Sequence, residues 1–458
     1  MEDTSTCSFE ATYSQALSEL LLTYIKSHED QTSTTTEPTS LLQNPSSMLT
    51  ETPELSGLEQ LPPELRRSIL AALDLNQLKA LIKSCPTFHQ QFRHDRRFIL
   101  GSVLNKELGS LAVDAYAVHL TSPAKFDHAH LEDSVPRFLK DYQRLRSSSN
   151  FSFLEQELTE NDMSDLVLFY LSIIRPFTET YKDWALKNVA DDCKTIEASA
   201  RDTPLSSTEK LRIMRALYRL QLWCNLFGST KHNFDEVHIL DMFFGLYEPW
   251  EVEEIKSVHD FAVEGLDTGL DWFFDNTNSR IVASDGFYFH VGYDSKHQAA
   301  QCEPVHRVEM LPSSSTQLTA LYTSLFNTID ECEHNFDDHL LGKVLGEETQ
   351  NERRIIYPSA QDKQERDQEP LPFKGDDPAL PPVAWTHTWR GTYSNLFGAF
   401  MPDRHAEWGL MIWDEPRFRD LQGYEVVWST CKDEWGIEDP RERFRDHEED
   451  DQEEDDQD

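Results

Sequence analysis

Apolar side chains recur along much of this chain at the three- and four-residue steps of a helix. Phe9, Tyr13, Leu17, Leu20, Leu21, Tyr24 and Ile25 form one such stripe between Phe9 and His28, which predicts a helix that needs a partner surface. From Gln31 to Pro53 the pattern vanishes. Eleven of those 23 residues are Ser or Thr, so burial cannot offset ordering entropy and a disordered linker is expected. A helical region is expected from Leu61 to about Gly346. Its clearest element starts at Ser206-Ser207-Thr208-Glu209, which has capping-box spacing, and runs to Phe227 with Gly228 as its stop. Two apolar rows cover most of that helix, Leu211, Met214 and Tyr218 in one and Ile213, Leu217, Leu220, Cys224 and Phe227 in the other, so a central buried position is expected. Its third face carries Arg212, Arg215 and Arg219, which are expected to meet carboxylates such as those of Asp235, Glu236 or Glu251. Further helices are predicted at Asp162 to Ile174, Pro176 to Ala190, Pro249 to Leu266 and Gln317 to Cys332, with a short hairpin over Ile281 to Tyr293.

Near the N-terminal end of this region, Leu61 to Phe92 reads as three short helices. Pro62 and Pro63 open the first, with Leu65, Ile69 and Leu73 at i, i+4 and i+8; a turn around Asp74 to Asn76 follows, and the second sets Leu78, Leu81, Ile82 and Cys85 on one side. Pro86 breaks it, and a third helix carries Phe88, Phe92, Ile99 and Val103. Three such helices cannot make a large core alone, so part of this surface is expected to be shared.

Later in the chain, Asn351 to Pro382 holds six prolines and many charges and reads as an exposed loop. Trp385 to Trp435 holds six of the ten tryptophans, a density that must be buried as an aromatic subcore or must line a pocket. The expected fold class is therefore mainly α. It divides into a short helix and linker (1–57), a three-helix unit (58–105), an irregular all-α body (106–350), a Pro- and charge-rich loop (351–384), a Trp-rich module (385–440) and an acidic disordered tail (441–458).

Charge narrows the range of partners. There are 42 Lys and Arg against 82 Asp and Glu, a formal net charge of −40, which argues against nucleic acid and against an anionic membrane surface. The tail from Asp446 to Asp458 has ten acidic residues in thirteen, so most of the excess belongs to the remainder. A client of this protein is expected to be neutral or basic and to bind more weakly as salt rises. Seven cysteines without C-x-x-C spacing suggest a reducing compartment. With no basic, apolar leader and no stretch of about 18 apolar residues, a cytoplasmic or nuclear protein is expected.

Chemistry is sparse. No Gly-rich phosphate loop, Gly-x-Ser-x-Gly elbow or His-Glu-x-x-His is present. His128-Ala129-His130 has poor metal spacing, and Cys332, His334, Asp337, Asp338 and His339 supply ligand types at a presumed helix end, where solvated carboxylates are the simpler account. No catalytic residue, metal or cofactor is expected. Trp389, Arg390, Trp408 and Trp413 are candidates to line a client pocket, with core packing as the alternative for Trp413.

The Leu61 to Phe92 segment resembles an F-box, a family opening on Leu-Pro-x-Glu-Leu with a following Ile. Leu61, Pro62, Glu64, Leu65, Ile69, Leu73, Leu78 and Leu81 stand at the matching positions. Ser84-Cys85-Pro86-Thr87-Phe88 departs from the basic residue and tryptophan that close many F-boxes. Residues 215–227 and 408–417 are also similar to segments of fungal F-box-like proteins, which bring no chemistry. The resemblance implies a Skp-type adaptor as partner, bound through Leu61, Pro62, Leu65, Ile69, Leu73, Leu78 and Leu81. It further implies a non-catalytic substrate receptor for a Skp-cullin-F-box type ubiquitin ligase. The alternative is a helical scaffold that uses the unit only for internal packing; it predicts that Leu61, Leu65 and Ile69 are buried.

Overall fold

The computed structural model describes residues 57–122, 125–127, 130–148, 158–192, 203–227, 233–267, 289–290, 303–304, 340–357, 372–388 and 403–427. The fold is mainly α-helical. The expected helices at Phe9 to His28 and Gln317 to Cys332, the linker at Gln31 to Pro53 and the acidic tail lie outside the described residues. The chain divides into two compact units, Met1–Glu107 and Leu108–Asp458.

In the first unit, α1 (Pro63–Ala72) begins at a proline whose missing amide leaves no donor orphaned. α2 (Leu75–Ser84) is capped by Asp74. The Asp74 carboxylate accepts from the Gln77 amide at 2.8 Å while the Gln77 side chain accepts from the Asp74 amide at 3.2 Å, a reciprocal box that uses two orphan donors. Cys85 is extended, as a residue before proline tends to be, and α3 (Pro86–Leu108) starts immediately after it. Ile69, Leu70, Leu75, Leu78, Ile82, Phe88, Phe92, Ile99, Leu100, Val103 and Leu104 are all buried. The only buried polar side chain in residues 57–107 is that of Gln91.

The second unit is built around α8 (Ser207–Phe227). Its capping box forms as its spacing predicts. The Ser206 amide donates to Glu209 at 2.9 Å and the Glu209 amide donates to Ser206 Oγ at 3.0 Å. α8 packs against α4 (Ala112–Leu120), α7 (Arg175–Asp192) and α10 (Pro249–Asp267), and nearly its whole circumference is buried. Around it lie α5 (Leu131–Arg146), α6 (Glu160–Phe169), α9 (Glu236–Met242), α11 (Leu340–Leu345), α12 (Glu347–Ile356), α13 (Val383–Thr388), α14 (Asp403–Glu407) and α15 (Glu415–Asp420). The helices expected at Asp162 to Ile174 and Pro176 to Ala190 join through one π turn, Tyr170–Ile174. Pro176 has no amide to donate and its ring crowds the carbonyl four residues earlier, so the ladder loosens just ahead of it.

α5 is a helix that Pro136 conceals in the sequence, with Leu131, Val135, Leu139 and Tyr142 buried. The hairpin expected over Ile281 to Tyr293 lies mostly outside the described residues, which include β1 (Phe289–His290) paired antiparallel with β2 (Glu303–Pro304), Phe289 opposite Pro304.

Candidate functional site

Apolar residues at i, i+4 and i+8 on α1 are expected to share one fate, yet the structure grades them. Pro62 is exposed and Leu65 is 41 % exposed, whereas Ile69 is buried and Leu73 is half-buried. Leu61 and Leu81 are half-buried and Leu78 is buried. The seven residues implied by the resemblance thus do not form one exposed ridge. Pro62 and Leu65 point to solvent, while Ile69 and Leu78 belong to the core. Behind them, Glu59 ties the unit's first turn to the α2–α3 junction: its carboxylate accepts from Cys85 Sγ at 3.1 Å and from Thr87 Oγ1 at 3.2 Å, and its carbonyl accepts from Arg66 at 3.2 Å.

The candidate client pocket fares differently. Trp389 and Arg390 lie outside the described residues. Trp408 and Trp413 are core side chains, 3 % and 0 % exposed, which replaces the pocket expectation for both. The Trp413 indole N–H donates to the Trp408 carbonyl at 2.8 Å, and its ring sits 6.4 Å from Tyr181 and 5.4 Å from the Arg417 guanidinium. Gly409 turns the chain between them at φ +63, and a Cβ there would lie 2.8 Å from Tyr181 Oη. Only glycine fits so close an approach. Tyr181 Oη and Ser257 Oγ are 2.6 Å apart and Ser257 donates in turn to the Ala406 carbonyl, so α7 and α10 together fix α14.

The second unit's centre is ionic. Arg212, Arg215 and Arg219 are all buried. Arg215 grips Glu254 through Nε at 2.9 Å and Nη2 at 2.7 Å, and reaches Glu251 at 2.9 Å. Arg219 lies 3.1 Å from Glu251 and 3.7 Å from Asp114. Arg212 donates to the Ile412 carbonyl at 3.0 Å and to Asp414 at 2.9 Å. Arg417 holds Glu209 through Nε at 2.8 Å and Nη2 at 3.1 Å. Of the expected partners Glu251 is right, while Asp235 instead caps α9 by accepting from the His238 amide at 2.7 Å. Glu254, Asp114 and Asp414 are the partners that sequence spacing does not name.

Burial raises the Glu251 carboxyl, but Arg219, Arg215 and Arg146 outweigh that and hold it at about 2. For Glu254 burial wins, and its carboxyl is raised despite Arg215. Burial also lifts the Tyr247 phenol to about 12, next to the Arg219 guanidinium stacked 4.4 Å above its ring. Arrangements of this kind perturb titration as active sites do. Here each of these carboxylates faces a guanidinium, so the network neutralises charge inside the core. His405 stands apart from it, 1 % exposed with neither ring nitrogen hydrogen-bonded. Burial, aided by Lys256, lowers it to about 3, so it is a neutral imidazole packed 6.1 Å from Trp408.

Among the described residues no group of three or more His, Cys, Asp or Glu is placed to hold a metal ion. Cys332, His334, Asp337, Asp338 and His339 lie outside them, as do His128 and Ala129, and His130 is exposed beside Asp127. No described helix is long and apolar enough to cross a membrane. No protein-family profile, curated protein or solved structure matches the chain.

Proposed function

We propose that residues 57–107 are an F-box-like unit that docks a Skp-type adaptor, and that the chain is a non-catalytic substrate receptor for a Skp-cullin-F-box type ubiquitin ligase, its helical body holding a neutral or basic client. The observation that carries this reading is Leu65, a large apolar side chain left 41 % exposed beside exposed Pro62 at the start of α1, in a unit that buries Ile69, Leu70, Leu75, Leu78 and Ile82 in its core. An adaptor would cover that end of α1, and the receptor would act by proximity alone.

The test is binding of the purified full chain to a purified Skp adaptor. Leu65→Asp is expected to abolish the complex while leaving the far-ultraviolet circular dichroism unchanged, since the side chain is at the surface. Ile69→Asp is a poor probe because Ile69 is 7 % exposed and a buried carboxylate would unfold the unit. If wild type binds no adaptor, the receptor reading is lost. The burial of Ile69 and Leu78 favours a second reading, in which the unit serves internal packing in a helical scaffold; that reading predicts no adaptor complex and no effect of Leu65→Asp on any partner.

A further inference from the structure

Residues 57–107 carry eight Lys and Arg against five Asp and Glu, in a chain whose net charge is −40. This positive island has a side. On α3, Gln90, Arg93 and His94 ahead of the kink at Asp95 and Arg97 and Phe98 just after it are all exposed, at alternating steps of three residues and one. Two carboxylates occur in α3. Asp95 is half-buried, accepts from the Gln91 amide and sits at the kink in the helix, with φ −110 and ψ 23. Glu107 lies ten residues beyond Arg97, near the helix's far end. Phe98 is 42 % exposed, and the Arg67 guanidinium of α1 lies 5.0 Å above its ring. The stripe therefore ends in a large apolar side chain with a further cation stacked on it.

We infer that the Arg93, His94, Arg97, Phe98 and Arg67 face of α3 is a docking surface for a short acidic polypeptide segment, with carboxylates for the arginines and one aliphatic or aromatic residue for Phe98. Apart from Arg67 the surface lies on α3 and not at the Pro62 and Leu65 end of α1, and the inference does not rest on adaptor docking. Charge complementarity selects the occupant. A nucleic acid or a lipid sheet is an extended polyanion, and a chain of net charge −40 repels one. Non-specific binding to such a polymer rests on many phosphate contacts, whereas this stripe offers three or four cations. A short segment meets only the local field, because at physiological salt screening confines it to about 8 Å. An exposed Phe beside arginines also fits a protein partner, since aromatic and Arg side chains anchor protein interfaces.

The experiment is fluorescence anisotropy of the full chain with a labelled 14-residue peptide of glutamates interrupted by leucines, compared with an all-glutamate peptide and with oligothymidine of similar charge. The Glu-Leu peptide is expected to bind best, and more weakly with added salt. Arg93→Glu/Arg97→Glu is expected to weaken it by about tenfold or more, since like charges would then face each other. Arg137→Glu/Arg144→Glu, the same change of charge on exposed positions of α5, should leave it within about twofold. Phe98→Ala should erase the preference for leucine over the all-glutamate peptide. If the double charge reversal loses helicity, Arg93→Gln/Arg97→Gln replaces it, with a smaller loss in the same direction. Equal binding by wild type and the α3 variants, tighter binding of oligothymidine, or no binding of the acidic peptide overturns the inference. A purified adaptor is absent from the assay, so its result is independent of the adaptor test.

Discussion

The two units of this chain solve the same packing problem in opposite ways. Residues 57–107 bury aliphatic and aromatic side chains, with Gln91 as their one buried polar residue, and leave every charged residue at least partly exposed. The second unit buries Asp114, Glu209, Arg212, Arg215, Arg219, Glu251 and Glu254 at its centre. An apolar core is tolerant of how its pieces meet, because dispersion and water exclusion have no direction. A buried guanidinium demands a carboxylate at one place and angle. The first unit is thus cohesive but weakly specified, and the second is specified at a desolvation cost that its ion pairs offset only while intact.

The largest effect should come from breaking that ionic centre. Arg215→Met leaves Glu254 buried without its bidentate partner and is expected to destabilise the chain by about 3–5 kcal/mol, measured by urea denaturation. The double variant Arg215→Met/Glu254→Leu should recover a large part of this loss, because Glu251 retains Arg219 and Arg146. On the exposed α3 stripe, Arg93→Ser should stay within about 0.5 kcal/mol. A single variant no worse than the double would mean that the pair is not the structural tie its geometry describes.

How much of this contrast is written in the sequence depends on the range of the interaction. Capping is local, so the Ser206–Glu209 box and the start of α10 at Pro249 are legible from spacing alone, and so is the burial of α8 from its two apolar rows. Ion partners are not local. Arg212 meets Asp414 some two hundred residues away, and no periodicity encodes that. α10 shows the cost: spacing offers Glu251 as a partner for the arginines, but nothing in it marks Glu253, Glu254 and Lys256 as buried, and all three are. Pro136 conceals α5 for a different reason, since a lost donor at one residue does not outweigh the burial of Leu131, Val135, Leu139 and Tyr142. At the candidate docking unit, Leu-Pro-Pro-Glu-Leu fixes where α1 begins, but the i, i+4, i+8 row looks the same whichever end of it faces out. Only the packing separates exposed Leu65 from buried Ile69.

Acid should sharpen the contrast next. His405 has its folded pKa at about 3, below the ordinary 6.5, so the unfolded chain takes up a proton that the folded chain refuses. The proton-linked cost is absent above pH 6.5, and stability is lost as pH falls from 6.5 towards 3. At pH 5 the loss is about 2 kcal/mol. His119, also lowered by burial and by Lys125 but partly restored by Asp162, adds a contribution of the same sign. His405→Phe removes the larger contribution without stranding a hydrogen bond, because neither ring nitrogen has one. Melting curves of the variant at pH 5 and pH 7.5 should therefore lie closer together than those of wild type. An unchanged gap would show that the imidazole reaches solvent or a partner when protonated.

The smallest effect compares like with like, a capping box of the same design taken from each unit. Asp74 caps α2 at the surface of the first unit. Ser206 caps α8 in the second, where its hydroxyl also donates to Asp414 and its box partner Glu209 holds Arg417. Asp74→Ala removes one exposed cap and is expected to cost about 1 kcal/mol, whereas Ser206→Ala also removes a hydrogen bond from a carboxylate beside buried Arg212 and is expected to cost about 2 kcal/mol. Both are read from the same denaturation curves. If the two losses were equal, the tie between α8's cap and Asp414 would add nothing. The ionic specification of the second unit would then stop short of its own helix terminus.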